Sequence, residues 1–475
     1  MPHLKGQTII TVDFGTRTQR KIKPLHGINN SPVELYRVPE ELKEAGIPFS
    51  RLHDTGGPFG DSTLVDIPNL FPDFSADEND PESYRFEFTD AYLKQLTGAG
   101  VEPFFRLGVT IENHHKLHAY RIAPPADPEK WARICEHVIL HYNEGWANGF
   151  HFGIRYWEIW NEPENPPMWS GTRDEFFHLY RTAATHLKKC FPALSIGGYG
   201  SCGFYAVFDP TLSEFYRSFP VWFEAFLQFV RDNRLPLDFY SWHLYVTTPD
   251  QVELHAQYVR KTLDRYGFTQ TESIFNEWNM RPTSADAWDR MKEAPGAAFT
   301  AAVFTVLQRS PVDKAMYYDA TPTRSYCGLY YFPSGKTTPT YGSFWMFNQL
   351  YRLQDEVLCD VTGKALPALA AGSGSSGAVL LANDAPRKRT VRLEFLHAPG
   401  PCRALRIDRG HCLSEVSPEP EMTLPGNSVT LLLFSAETAP ETPAGNHDRP
   451  RELHAAGLED PSKRKNTKRS DQSRS

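Results

Sequence analysis

Arg155-Tyr156-Trp157-Glu158-Ile159-Trp160-Asn161-Glu162-Pro163 is the stretch from which the fold can be read. Side chains along a strand point alternately to its two faces, and Pro163 biases the residue before it away from helix, so Glu162 falls where a strand opens into a loop. Pro163, Pro166 and Pro167 require that loop. Thr172-Arg173-Asp174-Glu175 then forms a capping-box pattern ahead of Phe176-Phe177-His178-Leu179-Tyr180, which predicts a helix starting about ten residues after Glu162.

The same unit recurs on both sides of it. Candidate strands end at His26-Gly27, Phe49-Ser50-Arg51-Leu52-His53, Val101-Glu102-Pro103-Phe104-Phe105-Arg106, Leu194-Ser195-Ile196-Gly197-Gly198, Asp238-Phe239-Tyr240-Ser241-Trp242-His243, Ser273-Ile274-Phe275-Asn276-Glu277 and Ala315-Met316-Tyr317-Tyr318-Asp319. Helical stretches lie between them; one opens at Asp127-Pro128 and carries an apolar stripe of Trp131, Ile134, Cys135, Val138 and Ile139. Eight strand–helix units in roughly 300 residues predict an α/β fold, a (β/α)8 TIM barrel, rather than an open sheet. His26-Gly27-Ile28-Asn29-Asn30 is neither GxGxxG nor a Walker motif, which argues against a dinucleotide fold.

After Tyr341–Leu350 the pattern changes to short strands such as 378–381, 390–396 and 428–434, which read as an all-β accessory domain of sandwich type. The early strand Thr8–Phe14 can pair into it and make it discontinuous. The expected division is therefore 1–20 (strand of the accessory domain), 21–350 (barrel), 351–436 (accessory domain) and 437–475 (a tail rich in Pro, Ser and charge, expected to be disordered).

The 475 residues include 50 Lys plus Arg and 57 Asp plus Glu, a formal charge of -7 that gives no reason to expect nucleic-acid binding. The start, Met1-Pro2-His3-Leu4-Lys5-Gly6, lacks the pattern of a signal peptide, and no run of 18 apolar residues occurs. A soluble, cytoplasmic protein without membrane partners is expected, its oligomeric state open. Seven scattered cysteines without a CxxC pair read as reduced structural thiols. The 10 Trp, 21 Tyr and 31 Phe mostly suit a core, but those beside polar strand ends suit a ligand cleft.

At strand ends, Glu162 and Glu277 are the two acids with matching contexts, three strands apart. Across one barrel mouth they suit glycoside cleavage, in which one carboxyl protonates the leaving oxygen and the other attacks or stabilises the anomeric carbon. Taken alone, Glu162 could cap the next helix or meet a surface Arg, and Glu277 could form a structural salt bridge. Glu158 reads as part of a buried network with Arg51 or Arg106, and Glu164 and Glu272 are weaker candidates. His26, His53, Asp54, Asn161, Tyr240, His243, Tyr245 and Trp278 supply hydrogen-bonding groups and aromatic faces for a small carbohydrate. The histidines lack HxH or HExxH spacing, so no metal or cofactor is expected. His114, His115 and His118 read as an exposed loop, and Cys202 as structural.

Trp160-Asn161-Glu162-Pro163 and Phe275-Asn276-Glu277-Trp278, with Leu25-His26-Gly27, Arg51-Leu52-His53-Asp54, Gly197-Gly198, Ser241-Trp242-His243-Leu244-Tyr245 and Asn279, resemble clan A glycoside hydrolases and specifically glycoside hydrolase family 39, which includes β-xylosidases and α-L-iduronidases. The resemblance spans residues 20 to 350. It implies a retaining mechanism, with Glu162 as acid/base, Glu277 as nucleophile, Asn161 at the sugar 2-hydroxyl and His243 near the nucleophile. A uronic acid would favour a Lys or Arg at its carboxylate; the strand-end residues show no added Lys, and Arg51 can be structural, so release of xylose from non-reducing ends is favoured. Arabinosides, glucosides and iduronides stay open, as does a non-catalytic carbohydrate-binding barrel.

Overall fold

The computed structural model describes residues 7–32, 38–56, 63–110, 122–435 and 443. The His114, His115 and His118 loop and the tail beyond 443 lie outside the described residues. Eight strands, β2 (Gly27–Asn29), β3 (Phe49–Leu52), β4 (Glu102–Leu107), β5 (Tyr156–Ile159), β6 (Ser195–Gly197), β7 (Phe239–Val246), β8 (Glu272–Met280) and β9 (Lys314–Tyr317), close into a barrel in sequence order. Every pairing around it is parallel, so the predicted (β/α)8 barrel is the observed fold. The helices between strands start where the caps require. The Asp127 carboxylate accepts the Lys130 N–H at 2.8 Å, and Thr172 and Glu175 exchange side-chain and backbone hydrogen bonds at 3.2 and 2.7 Å.

Alternation along the strands divides the barrel into an outer and an inner core. Outward residues such as Trp157, Tyr240, Trp242 and Trp278 join the large cluster under the helices. Inward residues Phe49, Phe104, Tyr156, Phe239, Ile274 and Met316 form a separate cluster. They lie near the strand beginnings and plug the lower barrel, so the polar layer built from the next inward residues rests on an apolar floor.

The rest of the chain forms a nine-stranded sheet from β1 (Thr8–Lys21), β10 (Asp355–Thr362), β11 (Ala368–Ser373), β12 (Ser376–Asn383), β13 (Arg389–Leu396), β14 (Cys402–Ile407), β15 (Ser414–Val416), β16 (Glu421–Leu424) and β17 (Ser428–Ser435), in the order β15-β14-β17-β12-β11-β10-β1-β13-β16. Its two halves are joined by one register pair between β10 and β11, Glu356 with Ala371. The halves close over Ile10, Val12, Val379, Leu381, Val391, Leu432 and Phe434, which gives the expected sandwich-like form. The other face of β12 and β17 (Ala378, Leu380, Leu431, Leu433) joins the barrel's outer cluster beneath the helices Ala294–Arg309 and Pro339–Leu353. Both faces of these strands are covered, which is why they read as continuous apolar runs. β1 lies between β10 and β13.

His26, expected at the mouth, sits instead at the opposite end of the barrel, just before β2. It is fully buried, with Nε2 3.0 Å from the Gly46 carbonyl and its ring against Phe347 and Tyr351. The strand begins at the next residue, Gly27, rather than ending there, which reverses the expected placement. Burial pushes the His26 imidazole down to about 3, against the opposing hydrogen bonds of Gly46 and Asn348. The folded protein thus keeps His26 neutral, whereas the unfolded chain takes up a proton below its ordinary value near 6.5. Stability linked to His26 is complete above that value and is lost as pH falls towards 3, by up to about 1.4 kcal/mol per pH unit. His26→Gln should flatten the acid side of the stability curve; urea midpoints that differ from wild type by the same amount at pH 7 and pH 4.5 would refute this.

Candidate active site

Above the apolar floor, Arg51 is fully buried on β3. Its Nε donates to Glu158 Oε2 at 2.8 Å, Nη1 to Glu277 Oε2 at 3.0 Å and to Asn29 Oδ1 at 3.2 Å, and Nη2 to Asn161 Oδ1 at 2.6 Å. Burial alone would raise the Glu158 carboxyl, but the charge of Arg51 and the Ser241 hydroxyl outweigh it and hold Glu158 below the usual carboxylate range. Asn276 Nδ2 donates to Glu158 Oε1 at 2.6 Å. Of the two arginines considered for Glu158, Arg51 is the partner; Arg106 pairs with Asp66 at 2.6 Å.

Two departures from simple alternation bring the site together. The register between β7 and β8 pairs Trp242 with Phe275 and then His243 with Glu277, leaving Asn276 as a bulge. Asn276 and Glu277 consequently both face inward, one over Glu158 and the other at the mouth. At the end of β5, Trp160 and Glu162 take positive φ of 73° and 44°. That backbone is unusual for residues with a Cβ, and it turns Asn161 towards Arg51 while the Trp160 ring packs outward on Trp131 and Trp169. The Glu162 N–H lies 3.0 Å from the carbonyl of Gly200, which itself has φ of 63° and where a Cβ would stand 3.0 Å from Arg51 Nη2.

Glu162 and Glu277 face each other across His243. Oxygens of the two carboxylates and a His243 ring nitrogen all lie within 4.8 Å of one another. His243 Nδ1 is 2.7 Å from Glu162 Oε1 and 3.6 Å from Glu277 Oε2, so the histidine expected beside Glu277 is bonded to Glu162. Glu277 Oε1 accepts from the Tyr245 hydroxyl at 2.8 Å, and Asn165 Nδ2 donates to Glu162 Oε2 at 3.2 Å. Burial works to raise the Glu162 carboxyl, but the hydrogen bond and charge of His243, with Asn165 and Cys202, leave it below the usual range. A metal ion could draw on Glu162, His243 and Glu277, but the Arg51 guanidinium beside Glu277 opposes a divalent cation there. Glu136, His186 and Cys190 form a second such group at the helical surface.

Asp54 and His53 follow β3, with His53 Nε2 2.9 Å from Asp54 Oδ1 and the Tyr318 hydroxyl donating to Asp54 Oδ2. Burial would raise Asp54, but His53 and Tyr318 bring it down to about 2. Tyr240 and Trp278 do not reach the mouth: Tyr240 stacks on Phe223 and Trp278 packs on Phe275, Phe304 and Tyr317. Both occupy outward positions, and for Trp278 the bulge at Asn276 sets that parity. The sequence reading missed Tyr318, Asn165 and the turn at Gly200. Tyr318 follows β9 directly, and its position at a strand end was the available signal.

A closed parallel barrel with two carboxylates facing across its C-terminal mouth is the architecture of a glycoside hydrolase. Residues 67–307, half of the chain, match the model of the glycosyl hydrolases family 39, and the chain belongs to that family. It is 26% identical over 200 residues to a β-xylosidase of Geobacillus stearothermophilus (40% of this chain, 36% of that protein). To a β-xylosidase of Caldicellulosiruptor saccharolyticus it is 25% identical over 292 residues (56% and 53%). The chain thus spans from about a third to half of the length of these curated relatives. The crystal structure of a glucosidase from Croceicoccus marinus shares the fold, with a TM-score of 0.72 at 23% identity over 92% of this chain and 100% of that one. No helix among the described residues is long and apolar enough to cross a membrane.

Glu164 is a third carboxyl at this end of the barrel. Oε1 accepts the Cys202 N–H at 2.6 Å, and Oε2 is buried with no hydrogen-bond partner among the described residues. Burial first, and then the charge of Glu162, push it up to about 8. A carboxyl raised in the fold contributes stability at acid pH that is lost as pH rises from its ordinary value towards 8. Glu164→Gln, which keeps the shape without the titration, should be more stable than wild type at pH 7 by about 3 kcal/mol and equal to it at pH 4. Calorimetric melting at the two pH values tests this, and equal gains at both would refute it.

Proposed function

We propose that the protein is a retaining exo-glycosidase in which Glu277 is the nucleophile and Glu162 the acid/base, with a β-xyloside as substrate. The observation that carries this reading is the approach of an oxygen of each carboxylate to within 4.8 Å of the other, in unlike surroundings. Retaining pairs stand about 5–5.5 Å apart, against roughly 6.5–9.5 Å where a water must fit between carboxyl and sugar. Glu277 lies against the Arg51 guanidinium and accepts a hydrogen bond from the Tyr245 hydroxyl. Glu162 lies against an imidazole that can exchange a proton with it.

In the first step the Glu277 carboxylate attacks the anomeric carbon as the bond to the leaving oxygen breaks, and Glu162 gives that oxygen its proton. Sugar binding removes water from the mouth, and a drier mouth favours the uncharged arrangement of the Glu162–His243 pair, with the proton on the carboxyl. Once Glu277 is an ester its negative charge is gone, Glu162 is more readily ionised, and it takes a proton from the water that attacks the same carbon. Cleavage of the ester returns Glu277 as a carboxylate. Asn161, held by Arg51, is placed to meet the 2-hydroxyl.

The ionised Asp54 beside His53 and Tyr318 suits sugar hydroxyls and repels a sugar carboxylate, which supports a neutral glycone such as xylose over a uronic acid. The relatives named β-xylosidase support the same choice. Aryl β-xyloside should be turned over faster than the β-glucoside, the arabinosides and the α-L-iduronide, with NMR showing the β-anomer as first product; an α-anomer would refute retention. Glu277→Ala should abolish the glycosyl-enzyme burst. Glu162→Ala should lose about 10²–10⁴-fold in rate on poor leaving groups and form β-glycosyl azide when azide is supplied; unaided full activity would refute its role.

A further inference from the structure

A cavity of about 230 Å³ opens beside Glu277, lined by Tyr205, Tyr216, Tyr245, Arg281 and Tyr326 with Leu212 and Pro282. Tyr245 connects it to the catalytic carboxylates, since its hydroxyl donates to Glu277 Oε1 at 2.8 Å and its N–H to the Tyr205 hydroxyl at 2.8 Å. Tyr245 belongs to β7, and the other residues come from the segments after β6, β8 and β9. Asp54 and His53 follow β3, on the other side of the barrel from the β6 and β7 segments. A sugar held over Arg51 and Asp54 with its anomeric carbon between Glu162 and Glu277 therefore directs its leaving group towards this cavity.

The walls are aromatic, with Tyr205 edge-on to Tyr216 at 5.9 Å and Tyr245 to Tyr326 at 5.4 Å. The volume is below the roughly 300–1,000 Å³ of sites for drug-sized ligands and suits one ring. Arg281 stands exposed at the rim with its guanidinium 5.8 Å from the Tyr205 ring. Among the described residues no carboxylate pairs with it, unlike Arg51 and Arg106 below. An aromatic cleft supplies faces and edges for a ring, and an unpaired guanidinium supplies a fork for a carboxylate.

We infer that this cavity is the leaving-group subsite and that it takes an aromatic ring bearing a carboxylate, the ring among the tyrosines and the carboxylate on Arg281. The direction of the leaving group rests on the glycosidase reading above, so the test has a catalytic and a binding arm. In the first, kcat/KM is compared for 4-carboxyphenyl and 4-carbamoylphenyl β-xylosides with wild type and Arg281→Gln. Dividing the two ratios removes leaving-group reactivity. The carboxylate preference should drop about fivefold in Arg281→Gln, the size expected of an ion pair at an exposed rim. An unchanged ratio while both glycosides are turned over overturns the subsite and leaves the glycosidase reading intact. Absence of turnover on every glycoside overturns that reading instead. The second arm, saturation-transfer NMR of 4-hydroxybenzoate and 4-hydroxybenzamide, then decides the cavity: a benzoate signal that depends on Arg281 supports it, and equal signals in both proteins overturn it.

Discussion

The Arg51 guanidinium is a cation sealed inside a barrel, and the arrangement around it follows from what such a charge requires. Water cannot reach it, so its N–H groups must be satisfied by carboxylates and amide oxygens at fixed positions. Glu158, Glu277, Asn29 and Asn161 meet that requirement from three strands, β2, β5 and β8, with Asn161 just past the end of β5. Removing the guanidinium would leave Glu158 as a buried charge with only neutral partners, while removing Glu158 would leave the cation leaning on Glu277 alone. The network therefore sets the distance between β3, β5 and β8 and holds the mouth carboxylates with little freedom. The aromatic plug beneath keeps the network dry, and Gly200 keeps the wall beside it thin enough for Arg51 and His243 to meet Asn161 and Glu162.

Most of the barrel was legible because each strand ends in a visible change, from an apolar run to a polar or charged residue followed by loop chemistry. Glu162 before Pro163 and Glu277 before Trp278 stood out for that reason. What alternation alone misplaced was parity and direction. His26 precedes its strand, so its ring is at the floor end. Tyr240 lies on the outer face of β7, and Trp278 does so on β8, where the bulge at Asn276 shifts the pattern by one. A bulge and a pair of left-handed residues are choices of backbone that depend on neighbours distant in sequence, and the local string Phe275-Asn276-Glu277 carries no mark of them. Tyr318 and Arg281 were hidden differently: both follow strands whose ends were recognised, but their importance comes from Asp54 and Tyr205, which are far away in the chain.

The mouth has two characters. Around Asp54 it is acidic and rich in hydrogen-bonding groups; around Arg281 it is aromatic with a positive rim. The carboxylate pair stands between them, so chemistry and selectivity are supplied by different strands. For the proposed glycoside, the β3 end with Tyr318 faces one half, and Tyr245 of β7 with the segments after β6 and β8 and Tyr326 beyond β9 faces the other. Loop replacement on one side can change one half of the specificity while Arg51 and its partners hold the reacting groups in place.

β1 precedes the other described strands and waits longest for its partners. It lies between β10 and β13, so from the moment Lys21 emerges until Asp355 follows, its edges have no partner in the sheet. At 5–20 residues per second that interval lasts roughly 15 to 70 s. The barrel can form during this time, but the apolar strip Ile9, Ile10 and Val12 has to be shielded by something other than its own sheet. The burden of this topology falls on biosynthesis: the nascent chain presents an adhesive edge throughout the assembly of its catalytic half, and chaperone demand should track translation speed across that half.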